Sequence, residues 1–358
     1  MFDFDVFKKN LADMWNKTRQ HQVNGLIDPS QVDEKVHYIP IQEGLHYVRL
    51  VLAEMYLADE TNFFQQYFPA VHATTQFTSG TKPVSIVKVA ETGQLGQKKL
   101  SGKGAVIAKN YPLTPLIPFN SDFIEFDAGL IALKGGSYLD NLLSVLSDFS
   151  SLVAVPQFSQ ALDLAGPIAK GVKALFDIGE IQLLWHDALN QNSSGGYYVA
   201  VHATEQQIPK KDLRVVGNSL RLVNSYDRSQ NLPFEGYDYM LLRIEVTQDR
   251  ADWDSLEFIK GPLAKMDEAL LGQDEVAAKR FYGNLYQQVQ SAAEFTRADR
   301  VRVVKEIQDH YRKTKDVAAF SGLNSELETE FVEMMKNAWT PEQALAQKMP
   351  SMWDILKD

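Results

Sequence analysis

Two histidines stand in matching tetrapeptides, Val71-His72-Ala73-Thr74 and Val201-His202-Ala203-Thr204. One imidazole from each of two strands is half of a metal site, which needs a third ligand and an oriented outer shell. Neither segment carries a carboxylate at ligand spacing, so ordinary strand histidines are expected, with no metal or other cofactor. A third histidine, His186, precedes Asp187, and these are the residue types of a general base and its orienting acid. Neighbours on a strand point to opposite faces, so the two cannot meet there. No Gly-x-Ser-x-Gly elbow supplies a nucleophile. A hydrolase with a site assembled from distant residues is therefore kept only as an alternative.

The segment from Gly93 to Gly104 is basic and glycine-rich. A phosphate-cradling loop needs Lys followed by Ser or Thr and a helix directly behind it. Here Gly102-Lys103 is followed by Gly104 and then by a strand pattern. The spacing predicts a solvated hairpin loop, with Lys98, Lys99 and Lys103 as candidate contacts for an acidic partner or an anion. Asp249, Asp252 and Asp254 cluster where the last strand pattern gives way to a helical one. Such a cluster can hold calcium, but aspartate is also favoured at helix caps and in first turns. Capping or first-turn placement is expected to explain at least one of the three without a ligand.

The elements that position these residues follow from periodicity. Asp3 to Arg19 reads as an amphipathic helix, and Asn24-Gly25 and Asp28-Pro29-Ser30 as a turn-rich connection. From Val36 the period shortens. Strands are expected at 36–41, 47–57, 70–77, 84–89, 105–109, 123–133, 181–185, 197–203, 213–216, 219–223 and 239–247. Tyr111 to Pro118 contains three prolines, which remove ladder donors, so it is expected at a sheet edge or crossover. Val216-Gly217-Asn218-Ser219 has the composition of a two-residue hairpin turn. Leu139, Leu142, Leu143 and Leu146 recur at helical spacing, giving a helical insertion at about 138–176.

After Asp249 the pattern is helical to Asp358. Thr296 with Asp299, Ser325 with Glu328, and Thr340 with Gln343 are capping-box spacings, each ahead of an apolar stripe. Phe331 is the expected anchor of one stripe, and burial is expected for at least one of Trp339 and Trp353. The expected class is α+β: a mainly antiparallel β-sandwich or barrel-like region with a helical insertion, followed by a helical C-terminal region. The expected divisions are 1–30, an amphipathic helix and linker; 31–250, the β domain; and 251–358, the helical region.

Composition narrows function. The chain has 358 residues, no cysteine, 45% hydrophobic residues and a net charge of −10. Disulfide scaffolds, thiolate zinc sites and cysteine nucleophiles are excluded. An acidic chain is repelled by phosphate backbones and anionic lipid, which disfavours nucleic acid and, less strongly, membranes as partners. MFDFDVFKKN carries aspartates where a secretory leader needs positive charge, so none is expected. The least polar run, Phe149 to Leu162, spans about fourteen residues against the roughly twenty a membrane helix needs.

The leading expectation is a non-enzymatic, cytoplasmic protein-interaction or assembly component whose partners are other proteins. The alternatives are a membrane-acting effector, pore-forming or lipid-binding, held soluble by its helical C-terminal region, and the hydrolase. The oligomeric state is not written in the sequence.

Overall fold

The computed structural model describes residues 22–33, 38–58, 61–62, 65–79, 82–91, 105–121, 123–134, 179–191 and 193–319. Four groups of expected features lie outside these residues. They are the N-terminal helix, the basic loop at 93–104, the insertion at 138–176 and everything beyond Ala319, including Ser325, Phe331, Trp339, Thr340 and Trp353.

The strands are β1 (Val23–Leu26), β2 (Tyr47–Leu57), β3 (Thr61–Asn62), β4 (Gln65–Ser79), β5 (Lys82–Glu91), β6 (Ala105–Pro112) and β7 (Ile117–Pro118). They continue with β8 (Phe123–Lys134), β9 (Gly179–Asn190), β10 (Gly196–Val201), β11 (Leu213–Val216), β12 (Ser219–Val223), β13 (Asn231–Pro233) and β14 (Tyr239–Thr247). The helices are α1 (Glu257–Leu271), α2 (Glu275–Ser291) and α3 (Arg297–Ala319). The fold is thus mixed α+β, with antiparallel sheets and, among the described residues, three helices at its C-terminal end.

One sheet runs β1-β10-β14-β2-β6, with β7 joined to β2; a second runs β3-β4-β8-β9, with β5 paired to β4; β11-β12-β13 form a third. These orders are open among the described residues. In β10 every residue is buried, and β14 is buried over its first four. Their unbroken apolar runs fit central strands covered on both faces. In β8 and β9 burial alternates instead: Ile124, Phe126, Ala128, Leu183, Trp185 and Leu189 face inward, while His186, Ala188 and Asn190 are exposed. That is the period of a sheet with one wet face.

The prolines fall where the missing donors require. Pro112 closes β6, the edge strand, and pairs with Val51. The next two N–H groups, of Leu113 and Thr114, both turn back to the Leu50 carbonyl. Two expectations fail locally. Among the described residues, the expected strand at 36–41 is reduced to one bridge, Pro40 to Ser194, because proline offers no donor to extend it. Val23–Leu26, expected as a turn, is a strand laid against β10. Gly25 there takes a positive φ of 122° and faces Val199.

Two compact units divide the chain. One gathers Met1–Gln42, Val48–Ile117 and Ser121–Val246; the other gathers Glu43–Tyr47, Pro118–Asn120 and Thr247–Asp358. In the first, Val23, Ile27, Tyr197, Val199, Val201, Leu213, Val215, Leu220, Tyr239 and Leu241 form one core between β1-β10-β14 and the three-stranded sheet.

In the second unit the core is the common seam of the helices: Ile259, Met266 and Leu270 of α1, Ala278, Tyr282, Leu285 and Val289 of α2, and Val303, Val304 and Ile307 of α3. Burying each of the valine, leucine, isoleucine and methionine side chains here is worth about 1.5–3 kcal/mol before entropy is counted. Gln273 adopts φ 61° to end α1, and Asp274 accepts from the Ala277 N–H to start α2, so three residues suffice to reverse the chain. Among the described residues no helix is long and apolar enough to cross a membrane.

Candidate functional site

In the second unit a set of charges gathers around the start of α3. Thr296 caps this helix as its spacing implies, its hydroxyl accepting from the Asp299 N–H at 3.1 Å. The reciprocal half of the capping box is not made by Asp299. Instead the Tyr47 hydroxyl accepts from the Thr296 N–H at 3.2 Å and donates to Asp299 Oδ2 at 2.6 Å. Burial, and then the Asp299 charge, push the Tyr47 phenol well above its ordinary range, so it stays a neutral donor.

Asp299 also accepts from the Arg250 N–H and from Arg302 Nε. The Arg250 side chain, 2% exposed, donates to Asp252 at 2.9 Å and to Glu294, itself 1% exposed, at 3.2 Å. Buried charges persist only when paired in this way. The acidic triplet considered as a calcium cradle is thereby accounted for. Asp252 holds Arg250, Asp249 lies 3.7 Å from Arg302, and Asp254 sits in the first turn of a short 3-10 helix. The cation that Asp252 and Asp249 meet is guanidinium.

In the first unit Arg243 of β14 is a second hub. Its guanidinium donates to Asn110 at 3.0 Å, to Asn218 at 2.5 Å and to Glu245 at 2.5 Å. Arg49 closes on the same Glu245, and the Tyr197 hydroxyl donates to Asn218. Both asparagines sit in the left-handed region, at φ 53° and 64°. Glu54 is 3% exposed, and its Oε2 accepts from the Leu220 N–H and the Tyr239 hydroxyl, each at 2.8 Å. It thus ties β2 to β12 and β14. Burial and then the Glu54 charge raise Tyr239 far above its ordinary range.

The third cluster is at β8 and β9. His186 and Asp187 diverge to opposite faces, as strand geometry demands, but His186 does find a carboxylate. Asp127 is its direct partner across the ladder, and His186 Nδ1 lies 2.8 Å from Asp127 Oδ1. The His186 side chain is 42% exposed and that of Asp127 is 17% exposed. This is the geometry of an oriented imidazole. Asp187 points inward, where it reaches the Tyr198 hydroxyl of β10. The sequence hid the Asp127 contact because the partners are 59 residues apart, and only the β8/β9 register joins them.

His72 lies in β4, backed by Val89 and Gly129, whereas His202 follows β10 in another sheet and lies 3.6 Å from Asp238. The structure does not bring these two histidines into one sheet. Among the described residues no three His, Cys, Asp or Glu side chains form a metal-binding group. Lys98, Lys99 and Lys103 lie outside the described residues.

One loop does the opposite of these inward-tied clusters. Between β12 and β13, Asn224 Oδ1 accepts from the Tyr226 and Asp227 N–H groups. The Asp227 carboxylate accepts from the Ser229 N–H, the Ser229 hydroxyl and Gln230 Nε2. Those bonds hold Asp227 below the usual carboxylate range, the Ser229 hydroxyl contributing most. The braced loop carries Tyr226 at its tip, 100% exposed, and Arg228 is anchored by Asp212 at 3.2 Å. No protein-family model, curated protein or solved structure matches the chain.

Proposed function

We propose that the protein is a non-enzymatic docking component of a cytoplasmic multi-protein complex. Its five- and six-stranded sheets face each other as a β-sandwich that displays binding loops. What supports the sandwich is the edge-on contact of Trp185 in β9 with Tyr198 in β10, ring centroids 5.4 Å apart. The observation that carries the docking role is the Tyr226 loop. Tyrosine and arginine dominate the binding energy of protein interfaces. A side chain presented on a prebraced loop also loses little freedom when it binds. Here Asn224 and Asp227 accept five hydrogen bonds, three of them from backbone N–H groups, that brace the loop beneath a fully exposed ring.

The test is co-purification from the native host with intact chain and with Tyr226→Ser. The variant should keep its denaturation midpoint and lose a partner that the intact chain retains. An unchanged set of partners would remove the loop from the reading. Dye release from anionic vesicles by the intact chain would instead favour a membrane-acting protein.

A further inference from the structure

The Tyr226 loop stands in a basic corner of an acidic chain. From Lys210 to Arg228 five cations stand against two carboxylates, whereas the whole chain carries a net charge of −10. Two of these cations are direct partners, Arg214 of β11 and Arg221 of β12. Direct partners across an antiparallel ladder share a face, and like charges placed so repel each other. Leu213, Val215 and Leu220 turn the opposite face to the core. Strand alternation therefore puts both guanidiniums on the outer face of the three-stranded sheet, where each residue is partly exposed.

No carboxylate among the described residues bonds either guanidinium. Arg214 Nη1 donates to two carbonyls, of Lys211 at 2.8 Å and Leu213 at 2.7 Å, which orient the group without cancelling its charge. The Arg221 side chain makes no hydrogen bond or ion pair among the described residues. The neighbouring acids are already engaged. Asp212 holds Arg228, and Asp227 accepts from Ser229 and Gln230. Asp33, brought beside β11 by the bridge from Val32 to Val215, accepts from the Gly217 N–H. Glu54 is buried on the Leu220 N–H and the Tyr239 hydroxyl.

We infer that the outer face of the β11-β12-β13 sheet receives an acidic segment of a partner protein, with one of its carboxylates between Arg214 and Arg221. This rests on the docking reading and names the chemistry of the partner. The Arg228–Asp212 ion pair sets the Tyr226 loop against the residues that open β11, so the exposed phenol borders the same face. A guanidinium fork matches a carboxylate through two parallel N–H donors. An anion placed between the two arginines also removes their mutual repulsion. Nucleic acid fits less well, because its dense run of phosphates meets repulsion from the rest of so acidic a chain.

Fluorescence anisotropy with the full chain tests this, using a labelled glutamate-rich peptide, its glutamine counterpart and a single-stranded oligodeoxynucleotide of equal charge. The glutamate peptide should bind, more weakly as salt rises. The glutamine peptide should bind at least about tenfold more weakly, the worth of one hydrogen bond to a charged group. Arg221→Gln should impose a similar loss on the glutamate peptide. That variant gives up no internal bond and relieves the repulsion on Arg214, so its melting midpoint should not fall. Equal binding of the two peptides by the unmodified chain overturns the inference, and so does tighter binding of the oligodeoxynucleotide. A folded Arg221→Gln that binds the glutamate peptide unchanged does the same. Tyr226→Ser separates this from the docking reading. Loss of its co-purifying partner without glutamate selectivity keeps the loop and rejects the acidic segment. Glutamate selectivity with an unchanged set of partners removes the loop and leaves the face.

Discussion

The hydroxyl of Tyr47 stands where a capping box ordinarily has its second carboxylate bond. It takes the Thr296 N–H and passes its own proton to Asp299. Tyr47→Phe keeps the ring and strands a buried N–H, so it should lower stability by about 1–3 kcal/mol in a denaturant melt. Thr296→Ala should cost about 0.5–2 kcal/mol. The two losses should add to less than their sum, since they share one network. Thr75 gives the opposite sign. It is fully buried, and among the described residues its hydroxyl has no hydrogen-bond partner. Thr75→Val removes that desolvated hydroxyl at nearly constant shape and should raise the unfolding free energy by about 1 kcal/mol, read as a higher melting midpoint.

Among the elements, the β11–β12 hairpin was the most legible. Val216 pairs with Ser219 across Gly217 and Asn218, at φ 56° and 64°, as a Gly-Asn pair favours. The Asn218 amide then bonds Arg243 and Tyr197, which no local pattern announces. Asn218→Gly keeps the backbone conformation and loses only the amide, whereas Asn218→Val adds a β-branched residue at positive φ. The valine variant should therefore melt clearly below the glycine one.

The same contrast explains what was readable elsewhere. The bounds of β2 and β14 follow from apolar runs that Arg49 and Glu54, and Arg243 and Glu245, interrupt only singly. β1 was missed because Asn24-Gly25 has turn composition and only β10 makes it a strand. β13 was missed because all three of its residues are exposed and show no alternation. The β9 strand was legible, but its partner was not. Registers between distant strands decide which acid meets His186, and sequence spacing carries no such information.

At the scale of the molecule, the helical unit is not one stretch of chain. It includes Glu43–Tyr47 and Pro118–Asn120. The Gly44 carbonyl accepts from the Ala298 N–H, the Asn120 amide donates to the Phe295 carbonyl, and Leu45 packs on Ala298 and Val301. A fragment beginning at Thr247 lacks all of these contacts. It should show a broad, low-cooperativity melt and exchange its α3 amides faster than the full chain does. A sharp melt with full-chain protection would mean that the helices suffice alone.

This threading also sets a timetable for synthesis. Tyr47 and Asp299 are 252 residues apart in the chain. At about 5–20 residues per second, the ribosome delivers Asp299 roughly 12–50 s after Tyr47. Through that interval the start of β2 waits with its phenol unmatched and the residues beside it unsheltered. A stalled or truncated message that ends before Thr296 releases a product that cannot close its second unit.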